Sequence, residues 1–294
     1  MSRLLARKAP GHFKTLPLHV EATAESLHYR SLGLPLNFAQ MLERRRPVQV
    51  ADSQCFALEL ANLGVSVRLT MAWQGRDYWL LVRQQRPDRG DTVLKLISGY
   101  VPAHELNLPL LTAIQEVAEE CLIESGGSWL GGRYADTWLP TPYQHTLRYS
   151  AGDHFRLSPL SGAARPVQCG NLILMERPRA YVHLPTASLQ LVYDLRLELP
   201  RDCRQPSLFH VDEQLENDEL VARLERSRPD LYLLPLHQGL PTAELFTLRK
   251  GSLLPASTRG VCLSESFAAQ DGWLVREERI EWRAWLQSIG AQTH

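Results

Sequence analysis

No run in this sequence approaches the roughly 18 apolar residues that a membrane-crossing helix requires, so a helical membrane protein is not expected. Net charge is also missing: 32 lysines and arginines balance 32 aspartates and glutamates. Without a basic excess there is no global field to draw the chain onto nucleic acid or an anionic lipid surface. The five cysteines, at 55, 121, 169, 203 and 262, form no C-x-x-C and no nearby Cys/His pair. Scattered thiols of odd number argue against a zinc knuckle or a disulfide framework and for a reducing compartment. Internal repeats and low-complexity tracts are absent as well. These absences lead to the expectation of a cytoplasmic protein whose partner is a small molecule, with no nucleic acid and no membrane.

The apolar content, 44%, suits a globule with a sizeable core. Residues 1–60 read as an N-terminal extension. Within it Leu36–Glu43 has helical spacing and ends at Arg44–Arg45–Arg46–Pro47, whose cations complement a helix C-terminus more readily than they bind phosphate. Residues 61–240 read as the main domain. There Val65, Val67, Leu69, Met71 and Trp73 alternate, Gln74–Gly75–Arg76–Asp77 can turn, and Tyr78–Arg83 returns as a second strand. A loop-rich insertion is expected at about 126–187, with Leu172–Met175 as one strand inside it. Leu189, Leu191, Tyr193, Leu195, Leu197 and Leu199 form the clearest half-buried strand. The acidic run His210–Glu219 reads as a capped surface helix; the alternative brings His210, Asp212, Glu213 or Glu216 to a metal site. Residues 241–294 form a C-terminal segment in which Ile280, Trp282, Trp285, Leu286 and Ile289 mark an amphipathic helix. Docking on the domain is its default, and a homodimer through this helix is the alternative. The mixed order of elements predicts an α/β fold, a sandwich built on one helix-flanked sheet.

Chemistry is concentrated in one stretch. Val93–Ile97 reads as a short buried strand that ends at Ser98–Gly99, where the missing side chain lets the backbone approach a ligand. Downstream, Glu116, Glu119 and Glu120 stand at i, i+3 and i+4, leaving one side of a helix within a turn. Leu110, Ala113, Ile114, Val117 and Cys121 bury the opposite side. Carboxylates so crowded raise one another's pKa unless a cation neutralises them, and a hard oxygen-liganded ion such as Mg²⁺ or Mn²⁺ is the natural partner. Asn107 is expected to cap this helix and Pro109 to occupy its first turn. The helix is expected to run through Ile123 and Glu124 and stop at Ser125–Gly126–Gly127.

Strand, glycine turn, loop and acidic helix follow in the order of the Nudix box. Five residues separate Gly99 from Glu105, and Gln115–Glu116–Val117–Ala118–Glu119–Glu120 is similar to that family's Arg-Glu-aliphatic-x-Glu-Glu. Three positions depart from the pattern. Nine residues rather than seven separate Glu105 from Gln115, Gln115 stands where the family has arginine, and Leu122 where it has glycine. The resemblance covers roughly 61–240 and implies a Nudix-like α/β/α sandwich with a mixed sheet, flanked by the N-terminal extension and the C-terminal helix. It also implies a divalent-metal-dependent hydrolase that cleaves a phosphoanhydride in a nucleoside diphosphate linked to another moiety. By the same comparison Glu116 and Glu120 are principal metal ligands, with Glu119 a further ligand or base. The carbonyl around Gly99 joins the shell, Glu105 orients the acids, and Gln115 partly replaces the arginine. A Nudix-fold binding or regulatory module without turnover is the alternative.

Overall fold

The computed structural model describes residues 2–6, 14–44, 46, 48–86, 90–160, 167–168, 178–216, 219–267, 273–276 and 279–291. The alternation read from Val65 belongs to an 18-residue strand, Phe56–Trp73, around which the sheet is organised. One edge of this central strand runs parallel to Ser188–Glu198, in register from Asn62 opposite Ser188 to Met71 opposite Leu197. On the other edge Ile97–Tyr100 and then Arg76–Arg86 pair antiparallel. Its first residues pair with Leu18–Ala22, which in turn pairs with Leu27–Ser31. The turn after Trp73 holds Gln74 at φ 50° and Gly75 at φ 79°. Two left-handed residues make the tight connection whose twist matches that of its strands. Arg76–Arg86 continues outward to Leu231–His237 and Asp91–Lys95. The parallel pair is possible because a long crossover, residues 74–187, separates its strands, and the acidic helix lies within that crossover.

The sheet buries both faces. Leu189, Leu191, Tyr193, Leu195 and Leu197 join Val65, Val67 and Leu69 in a core completed by Leu110, Ala113, Ile114 and Val117 of helix Pro109–Glu120. The intervening residues Val192, Leu81, Leu94 and Leu234 join Tyr181 in a second core with Trp282, Trp285 and Leu286 of helix Trp282–Ser288. A helix therefore lies against each face of a predominantly β, mixed sheet. Among the described residues no helix is long and apolar enough to cross a membrane.

Several local expectations are corrected. The acidic helix ends at Glu120 rather than at Ser125–Gly127, and Cys121–Ser125 is a strand paired with Ser207–His210 and Ser128–Tyr134. Cys121 and Ile123 face one core while Leu122 faces another with Trp129 and Phe209, a two-residue period that a strand satisfies and a helix does not. The stretch 126–187 holds strands Ser128–Tyr134, Tyr149–Pro159 and Arg179–His183. Leu172–Met175 lies outside the described residues, as do Arg45 and Pro47. In place of a surface helix from His210, strands Asp212–Glu216 and Glu219–Leu224 form a hairpin that adds Ser2–Ala6 at its edge. Acid content alone could not reveal that partner, more than 200 residues away in the chain.

Candidate active site

The acidic helix starts at Pro109, with Leu108 as its N-cap and no side-chain cap bond. Asn107 therefore does not cap it. Ala103–Glu105 forms a single 3₁₀ turn ahead of it. Glu105 is buried, and Thr112 Oγ1, in the helix's first turn, donates to its Oε2 at 2.6 Å. His104 Nε2 lies 3.7 Å from the other carboxylate oxygen. A buried carboxylate accepting this bond ties the loop to the helix.

Gly99 lies opposite Val65 on the face that the helix covers. A Cβ at Gly99 would overlap the carboxyl group of Glu116, so the glycine is what lets that carboxylate rest on the strand backbone. The φ of Gly99 is not positive. Closeness to Glu116, not backbone freedom, is therefore the reason for glycine here.

One turn further along, Glu120 Oε1 lies 3.3 Å from Lys95 Nζ. Lys95 is only 8% exposed, and its ammonium also donates to Ser98 O at 3.3 Å and Ser98 Oγ at 3.1 Å. Glu119 is buried, and Tyr143 donates its hydroxyl to the Glu119 carbonyl at 3.3 Å. Gln115 is half-buried and makes no side-chain hydrogen bond among the described residues. Cys121 follows directly, and burial pushes its thiol up to about 12, which makes it a packing residue rather than a nucleophile.

The helix ends against a strand that brings in a histidine. His210 lies opposite Cys121, and its Nδ1 stands 3.2 Å from the Glu120 carbonyl, at the negative end of the helix. Asp230 lies close enough to His210 for the two to interact. Burial raises its carboxyl above the ordinary range, partly opposed by Arg228 at 3.2 Å. Arg83 approaches the same carboxylate at 3.4 Å. His210 was among the residues singled out from the sequence, whereas Lys95 and Asp230 were not. Asp230 carries no local signal; Lys95 is the one charge within the apolar run Val93–Ile97. The side chains of Asp212, Glu213 and Glu216 lie outside those described.

Among the described residues no three His, Cys, Asp or Glu side chains are gathered closely enough to hold a metal ion. Two carboxylates one turn apart, beside a strand backbone bared by Gly99, are nevertheless hard oxygen donors of the right chemistry for Mg²⁺ or Mn²⁺. Two recesses of about 580 and 240 Å³ open elsewhere, along 256–262, and share Ser257, Arg259 and Gly260; no box residue lines either of them. Among nearby aromatics, Tyr78, Trp129 and Tyr143 are core residues and Tyr134 is half-buried, whereas Trp138 is 59% exposed beneath Arg133. No protein-family model matches the chain, and no curated protein matches it.

Proposed function

We propose that the chain is a cytoplasmic, Nudix-like hydrolase, dependent on Mg²⁺ or Mn²⁺, that cleaves a phosphoanhydride bond in a nucleoside diphosphate linked to another moiety. In this reading the sheet with a helix on each face is a Nudix-like α/β/α sandwich. The observation that carries it is the Glu116 carboxylate lying over Gly99, because it joins the two ends of the box in space. Free thiols at Cys55, Cys121, Cys203 and Cys262 accord with a reducing compartment.

Glu116 and Glu120, with the Gly99 carbonyl, would hold the metal. The bound ion supplies Lewis acidity, lowering the pKa of water and offsetting charge that develops on phosphate oxygens. Glu119, buried on the same helix, would be a further ligand or the base that accepts a proton from water. Glu105, held by Thr112, keeps the loop against the helix so that Gly99 and the acids stay in register.

A second reading is a Nudix-fold binding or regulatory module. It is favoured by the Lys95–Glu120 pair, in which a box acid already has a cation. The deciding experiment screens the purified protein against nucleotide sugars, ADP-ribose, dinucleoside polyphosphates, NADH, coenzyme A and nucleoside triphosphates, with metal and with chelator. Metal-dependent release of a mononucleotide or phosphate is expected, and Glu120→Gln is expected to abolish it while leaving the fold intact. Silence across the panel, together with thermal stabilisation by one of the ligands, would replace hydrolysis with binding.

A further inference from the structure

We infer that Lys95 is a resident counter-ion of the acidic helix, seated on Glu120 where a divalent cation would bind, and that metal must displace its ammonium group in order to load. The inference rests on the reading of Glu120 as a metal ligand.

Lysine is almost never buried unless paired, and here the pairing is built by the sheet. Lys95 lies opposite Val82, Ile97 opposite Val67, and Gly99 opposite Val65. Val82, Val67, Val65 and Ile97 all belong to the core that the acidic helix covers. Cross-strand pairing thus brings Lys95, at the end of strand Asp91–Lys95, and Gly99, in strand Ile97–Tyr100, to the same face. Along the helix Glu116 and Glu120 are also one turn apart. The match is position by position: Gly99 under Glu116, Lys95 against Glu120.

The ammonium has three acceptors, Glu120 Oε1, Ser98 O and Ser98 Oγ. Two of them belong to the strand and not to the helix. An incoming metal can therefore take Glu120 while Lys95 moves off the carboxylate and keeps a Ser98 acceptor, so that the ammonium loses its counter-charge without losing every hydrogen bond. Both cations cannot share one carboxylate cheaply. Charges of one sign a few ångströms apart repel strongly where water is excluded. Lys95 pairs with Glu120, and among the described residues no three acids are gathered into one cluster. Lys95 also supplies what Gln115 does not, a positive charge on the acid face, brought from a strand rather than from the helix.

The test uses the full chain without substrate. Mn²⁺ affinity is measured by electron paramagnetic resonance for the wild type, Lys95→Met and Lys95→Arg. Removing the competing charge is expected to tighten Mn²⁺ binding by about tenfold or more in Lys95→Met, and Lys95→Arg is expected to bind no tighter than the wild type. A measurement on the wild-type protein covers the case in which Lys95→Met fails to fold. Acylation of Lys95 by an amine-reactive reagent, read by mass spectrometry, should rise on adding Mg²⁺. Unchanged or weaker Mn²⁺ binding in a folded Lys95→Met, no Mn²⁺ binding in any of the three proteins, or labelling indifferent to Mg²⁺ would each overturn the inference. A tenfold gain alongside a silent substrate panel would remove the hydrolase and leave the counter-ion. Turnover with unaltered affinity would do the reverse.

Discussion

Helix Trp282–Ser288 meets its face of the sheet with Trp282, Trp285 and Leu286, all buried among Leu81, Leu94, Val192 and Leu234. Helix Pro109–Glu120 meets the opposite face with a comparable apolar set, yet also carries Glu119 into the interior and places Glu116 and Glu120 beside Gly99 and Lys95. The same strands serve both helices. On the tryptophan side their alternation supplies packing. On the acidic side the apolar face is interrupted on either side of Ile97 by a lysine and a glycine, each matched to a carboxylate. Departures from a local rule that are each compensated by a specific partner are what a functional site, rather than a packing surface, is expected to show.

The comparison can be broken most forcefully on the packing side. Trp285→Ala removes an edge-on ring contact with Phe267, 5.3 Å between centroids, and the Nε1 bond to the Phe267 carbonyl at 3.2 Å. It should cost about 3–5 kcal/mol in urea denaturation and leave Mn²⁺ affinity unchanged; a change in affinity would mean that the two faces are coupled. On the acidic side Gly99→Ala should do the opposite. The group in the way is the mobile end of Glu116, so stability should stay within about 1 kcal/mol, while Mn²⁺ affinity falls by roughly tenfold, about 1.4 kcal/mol. A loss of stability as large as that of Trp285→Ala, with Mn²⁺ binding retained, would reduce Gly99 to a packing residue.

The smallest effect concerns how the tryptophan side is clipped to the sheet. Arg86 grips Asp91 through two bonds, 2.7 and 2.6 Å, and Arg279, in the strand leading into the terminal helix, reaches the same carboxylate at 3.2 Å. The Arg86 hydrogen bonds, with lesser help from Arg279, hold the Asp91 carboxyl below its ordinary range. Since the folded pKa is depressed, this contribution is present above the unfolded value, near 4, and is lost as pH falls through the folded one. Asp91→Asn should lower stability at neutral pH by no more than about 1 kcal/mol and flatten the acid limb of a thermal-denaturation profile. An acid limb identical to that of the wild type would show that the clip contributes nothing measurable.

Legibility in the sequence followed the range of the interaction. The alternation at Val65–Trp73 and Leu189–Leu197, the turn at Gln74–Gly75 and the apolar positions Leu110, Ala113, Ile114 and Val117 all rest on neighbours a few residues apart and are present, whereas the first strand already starts at Phe56, Arg76 and Asp77 join the return strand, Leu199 lies past the end of its strand and Cys121 opens the strand after the helix. The end of that helix was not legible. Whether Cys121–Ile123 continues a helix or starts a strand is decided by Ser207–His210, its pairing partner. The hairpin Asp212–Leu224 likewise depends on Ser2–Ala6. The site divides in the same way: the spacing of Glu116, Glu119 and Glu120 is local, whereas Lys95 and His210 reach Glu120 only through the sheet.

By itself the sequence determined the periods of its strands and helices, the left-handed turn after Trp73 and the placing of three acids on one helical side, because backbone sterics and residue spacing settle these over a single turn or hairpin. Only the tertiary structure decided which cation faces Glu120. The seat of Lys95 needs strand register to bring it to the covered face, and helix packing to exclude water around it, before burial of its ammonium group can be matched by Glu120 and Ser98.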